Sequence, residues 1–129
     1  MINLKNFNSE VESFCPEKLD VLVQLGKDIN EDVLGQLLDL HISVADGIIS
    51  TLQGHFQKKE FQAIARAAHQ YKSNCGQLGL LKLHSYCSDL ENLIHGNSFS
   101  ENQIKQHLQA LEIENQIALD NLRNYRRSA

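Results

Sequence analysis

The chain holds one proline, no tryptophan and three cysteines in 129 residues. With Pro16 as the lone breaker and no useful stretch alternating apolar and polar residues at a period of two, strands have no support and helices can run uninterrupted. Cys15, Cys75 and Cys87 are odd in number and lack C-x-x-C spacing, which excludes a zinc or redox motif of that kind and leaves reduced packing thiols. No apolar run exceeds three residues, so neither a membrane span nor the apolar core of a signal peptide is expected, and the expected location is cytoplasmic. Aromatic residues make up 6% of the chain, and 12 basic against 16 acidic residues leave a net charge of −4. General nucleic-acid binding, which needs a cationic face and stacking rings, is disfavoured.

What is present is a globular balance, 42% hydrophobic and 22% charged, in a length that suits one domain. Residues 1–15 read as a polar leader and 16–129 as an all-α domain. A short helix is expected from Pro16, where proline at the first helical position removes no needed hydrogen bond, to a stop at Gly26. Asn30 is the expected N-cap of a second helix carrying Leu34, Leu38, Ile42, Ala45, Ile49 and Leu52, and Gly54 to Lys58 the turn after it. Phe61, Ile64, Ala68, Tyr71, Cys75 and Leu78 mark a third helix, and Leu83, Tyr86, Cys87, Leu90 and Ile94 a fourth that stops at Gly96. Ser100 with Gln103 forms a capping box for a fifth, through Leu108, Leu122 and Tyr125. The resulting fold class is an up-and-down antiparallel four-helix bundle with a short extra N-terminal helix.

On the third helix the apolar residues gather on one side and His69 falls about 150° from their centre, given about 100° per residue, so its imidazole faces solvent. Ala65, Ser73 and Gly76 are assigned to the same face, and Arg66 and Lys72 stand three residues before and after the histidine. Between Gln53 and Ser73 four cations face one carboxylate, in a chain that is acidic as a whole. Small side chains around a solvent-facing imidazole invite close approach by another protein. Two nearby cations suit a phosphoryl group, and the local positive charge suits an acidic partner.

The string Ala68-His69-Gln70-Tyr71-Lys72-Ser73-Asn74-Cys75-Gly76-Gln77-Leu78-Gly79-Leu80, with Leu83, Cys87, Leu90 and Glu91 after it, resembles the signature of histidine-containing phosphotransfer (HPt) domains, and the similarity in helix order spans roughly Leu19 to Leu122. The resemblance implies that His69 carries the phosphoryl group, that Lys72 offsets its charge, and that Glu91 holds the other ring nitrogen. It departs from the family at Ser73, where glycine is usual. The implied function is a phosphorelay intermediate that takes a phosphoryl group from a receiver-domain aspartate and passes it to an aspartate of another response regulator. The implied partners are response-regulator receiver domains and a hybrid sensor histidine kinase, with no cofactor bound by this chain and Mg²⁺ on the partner receiver. No nucleotide-binding motif is present, so ATP-dependent autokinase activity is not expected.

Two other readings compete. A non-transferring adaptor would bind a receiver through the same face without taking phosphate, although both His69 and Lys72 are retained. A metal-binding bundle is disfavoured because no two of the histidines at 41, 55, 69, 84, 95 and 107 are three or four apart. His41 reads as a packed or rim histidine, and His84, His95 and His107 as surface. Cys75 reads as a buried thiol and Arg123, Arg126 and Arg127 as complements to a helix C-terminus. The well-populated polar faces point to a monomer.

Overall fold

The computed structural model describes residues 15–128, without the side chains of Pro16 and residues 126–128. The leader expected at residues 1–15 therefore lies, Cys15 excepted, outside the described residues. Five helices follow in order: α1 (Pro16–Ile29), α2 (Val33–Gln57), α3 (Phe61–Gln77), α4 (Leu81–His95) and α5 (Glu101–Ser128). The last four form an antiparallel bundle, with α1 against α2 at one end, and the most extensive pairing is α3 with α4.

Local chemistry explains the boundaries, and it corrects three of them. α1 does not stop at Gly26 but continues to Ile29 and ends on Asn30 in the left-handed region (φ 55°). Gly26 is needed instead for the chain's return, because a Cβ there would stand 2.4 Å from the Glu31 carbonyl oxygen. Asn30 is thus the C-cap of α1, and the N-cap of α2 is Asp32, whose carboxylate accepts from the Gly35 amide at 2.9 Å. The helix α2 also extends through Gly54 to Gln57, leaving a connection of residues 58–60 in which Lys59 takes φ 57°. The capping box before α5 is formed in both directions: the Ser100 amide donates to Gln103 Oε1 at 2.8 Å, and the Gln103 amide donates to Ser100 Oγ at 3.1 Å.

The core gathers the apolar stripes of all five helices, among them Leu19, Leu38, Leu52, Ile64, Tyr71, Leu83, Leu90, Ile104 and Leu122. Each fully buried Leu or Ile contributes on the order of 2 kcal/mol. By length and composition alone α2 could cross a membrane, contrary to the expectation from short apolar runs, because Ser, Gly and Asp interrupt its apolar residues without lowering their overall share. In the bundle that apolarity serves packing: Leu34, Leu38, Ala45 and Leu52 are buried in the core.

One polar chain crosses this core. The Tyr71 hydroxyl donates to Asn115 Oδ1, the Asn115 amide donates to the Ala45 carbonyl at 3.2 Å, and His41 stacks on Tyr71 with Nε2 3.4 Å from the hydroxyl. Because the Tyr71 proton goes to Asn115, His41 Nε2 is the donor to the hydroxyl oxygen, and Nδ1 is left without a partner in the core. His41 is 2% exposed, and burial pulls its pKa down from 6.5 to about 4.

The folded state therefore refuses a proton that the unfolded chain accepts. This stabilisation is complete above pH 6.5 and is lost as pH falls to 4, by about 3 kcal/mol for that interval at ~1.4 kcal/mol per unit. In urea titrations at pH 7 and pH 4, a His41→Leu variant is expected to lose about 2 to 3 kcal/mol less stability than wild type. Equal losses would assign the acid sensitivity to other groups.

Candidate functional site

An alanine-rich run, Ala63 to Ala68, favours helix strongly and carries α3 through the bundle with Ile64, Ala65, Ala68, Tyr71 and Cys75 buried. His69 follows on the open side, its side chain 62% exposed. On α4 the buried stripe runs through Leu83, Tyr86, Cys87, Leu90 and Ile94, and Glu91 stands at the edge of that stripe, facing α3. Its side chain is only 13% exposed, a position in which a carboxylate is costly unless it is paired.

Both of its oxygens are paired. His69 Nδ1 lies 2.8 Å from Glu91 Oε1, and Lys72 Nζ donates to Glu91 Oε2 at 3.0 Å. Burial pushes the Glu91 pKa up, but Lys72, by hydrogen bond and charge, and then His69 more than offset it, so the carboxyl titrates below its ordinary range. An ionised carboxylate can only accept, so Nδ1 carries a proton, and in the neutral imidazole Nε2 then holds an open lone pair. Among the described residues Nε2 has no hydrogen-bond partner. The site is thus an exposed imidazole held by one nitrogen in a single tautomer, with the other nitrogen nucleophilic and turned outward.

The remaining residues singled out from sequence are placed unevenly. Arg66, one turn before His69, is exposed and makes no ion pair among the described residues. Ser73, one turn after it, is exposed as well. Ala65 does not belong to this face: it is 1% exposed and packed in the core. Lys72 does not stand alone beside the imidazole but is tied to Glu91, with its side chain 21% exposed.

Gly76 is not open either, because the ring of His84 lies over it, Cδ2 being 3.4 Å from where a Cβ would stand. His84 is exposed, and nothing in its own neighbourhood of sequence marked it; the signal was its position on α4, two turns before Glu91 on the same face. His107, expected at the surface, is half-buried, and burial lowers its pKa.

Among the described residues no three His, Cys, Asp or Glu side chains are grouped to hold a metal ion. A cleft of about 510 Å³ lies between α1 and α2, lined by Leu22, Val23, Gly26, Glu31, Leu34 and Leu38 among others. None of its lining residues comes from α3 or α4, so it is separate from His69. His69 stands on an exposed helix face, open to a second macromolecule or a small reagent from solvent.

Residues 11–125 match the family model of the Hpt domain. Histidine-containing phosphotransfer protein B from Pseudomonas aeruginosa PAO1 has a similar solved structure, with a TM-score of 0.78 over 91% of this chain and 96% of that one, at 20% sequence identity. No curated protein sequence gives a significant match.

The paired carboxylate has a direct spectroscopic consequence. In nitrogen-15 correlation spectra near pH 8, His69 is expected as the Nδ1–H tautomer, and a Glu91→Ala variant as a mixture dominated by the Nε2–H form that free imidazole side chains favour. An unchanged spectrum would remove Glu91 as the orienting group. Gly76 supplies a second test. An alanine there meets only ordinary contact with His84 and gains helix propensity, so Gly76→Ala is expected to raise stability by about 0.5 to 1 kcal/mol in thermal unfolding. A loss of stability would show a steric demand at that position.

Proposed function

The chain belongs to the Hpt domain family, and from that premise we propose that it is a phosphorelay intermediate in which His69 accepts a phosphoryl group from an aspartate of one receiver domain and hands it to an aspartate of another. A phosphotransfer function in phosphorelays goes with the family. The observation that carries the finer reading is the contact of His69 Nδ1 with Glu91, which leaves Nε2 as the attacking atom.

The step balances without an external acid or base. Nε2 attacks phosphorus in line, the N–P bond forms as the P–O bond to the aspartyl oxygen breaks, and the partner's aspartate leaves as a carboxylate. The ring keeps its Nδ1 proton and becomes cationic, and the Glu91 carboxylate at 2.8 Å stabilises that charge. Lys72 is already near the site and can share its charge between Glu91 and the incoming phosphoryl oxygens, while Arg66 offers a second cation one turn away. Such transfer needs positioning and charge compensation more than acid-base groups. In this reading the direction of transfer is set by the partners. Mg²⁺ belongs, in this reading, to the partner receiver. The protein acts as a phosphocarrier in the cytoplasm and does not phosphorylate itself from ATP.

The test is intact mass measurement after incubation with phosphoramidate, and separately with a receiver domain charged by acetyl phosphate. Wild type is expected to gain one acid-labile phosphoryl group and a His69→Gln variant none. If neither donor labels wild type while it still binds the receiver, the chain is an adaptor and the relay assignment is wrong.

A further inference from the structure

The antiparallel pairing of α3 and α4 brings a second imidazole onto the face that carries His69. Gly76 lies two turns after His69 on α3, and the His84 ring lies against it, its Cδ2 3.4 Å from where a Cβ would stand. A partner that closes over His69 and runs along the small residues Ser73 and Gly76 therefore meets the His84 ring. Lys18 of α1 reaches the same end, its Cβ and Cγ lying 2.9 and 3.2 Å from where a Cβ on Gly79 would stand. Three elements thus converge there: Lys18 from α1, Lys72 from α3 and His84 from α4.

We propose that His84 is a docking residue for the partner receiver, one that adds a positive charge to the face around His69 as pH falls and so favours a partner whose matching surface is acidic. The inference rests on the relay reading above. The charged groups facing His84 are Lys72 on α3 and Lys18 on α1, both cations; on its own helix Glu91, two turns on, is already engaged by His69 and Lys72. Burial first, then the charges of Lys72 and Lys18, hold the His84 pKa below the ordinary 6.5. The ring is accordingly neutral at pH 8 and becomes charged on the acid side of 6.5. A reactive aspartate brings negative charge with it, so a third cation raises the rate of productive encounter, and the gain shrinks with salt.

The experiment measures kcat/KM for transfer from an acetyl-phosphate-charged receiver to full-length wild type, His84→Gln and His84→Lys between pH 5.5 and 8. The same variants are labelled in parallel with phosphoramidate. With the receiver, wild type and His84→Gln are expected to agree at pH 8 and to diverge to about two- to fivefold in favour of wild type at pH 5.5. His84→Lys should stay fast across the whole range. With phosphoramidate the three proteins should not differ, since no macromolecular face is docked. A wild-type to His84→Gln ratio that stays flat with pH overturns the proposal, as does a pH-dependent difference that appears equally with phosphoramidate. Failure of both donors to label wild type overturns the relay reading and this inference with it.

Discussion

The carboxylate of Glu91 is the constraint on which the site depends. It lies at the edge of the buried stripe of α4, too covered to remain charged without partners, and it finds one on each oxygen. Lys72 compensates its charge, and that compensation keeps it an acceptor at neutral pH. As an acceptor it holds His69 by Nδ1. The Glu91 and Lys72 charges offset each other. In the proposed transfer, the positive charge on the ring would appear beside a carboxylate already in place, the condition under which fixed charges contribute most to a reaction.

The register of the α3 and α4 pair makes that contact possible. His69 and Glu91 stand equally far on either side of Leu80, and so do Gly76 and His84. A tight connection of residues 78–80 turns the chain, and a helical hairpin with so short a link has almost no freedom to slide. Gly79 takes φ 71° there, and Cys15 donates its amide to the Gly79 carbonyl at 2.8 Å, so the start of α1 clamps the turn. A side chain at Gly79 would both strain the backbone and collide with the Cys15 carbonyl, 2.6 Å from its Cβ. The geometry around His69 is thus linked to a glycine and an N-terminal segment far along the chain from it.

Much of this was legible in the amino-acid order, and the exceptions have a common cause. Apolar periodicity gave every helix, and the Ser100 capping box formed as read, because both signals are local. Ala65 was misplaced because a helical wheel treats α3 as if it met one neighbour, whereas α3 packs against both α2 and α4 and buries a wider arc. Gly26 and Asn30 were misread because the chain's return into α2 decides them: Glu31 closes on Gly26, and Asn30 takes the left-handed turn that ends α1. The tie between Lys72 and Glu91 is of that kind as well: it depends on which residues the hairpin brings face to face.

Three histidines in this bundle show how far environment, not residue type, decides what an imidazole does. His41 is sealed in the core, stacked on Tyr71, and its proton-free Nδ1 faces no donor, so it stays neutral and serves packing. His84 is exposed, but the cations around it and partial burial set its charge to change below neutrality. His69 alone combines wide exposure with a carboxylate on one nitrogen. Burial without a partner gives an inert ring, and exposure without a partner gives a ring whose tautomer wanders. Of these three, only His69 is given both a wide open face and a proton fixed by a carboxylate, and the pairing of α3 with α4 supplies both.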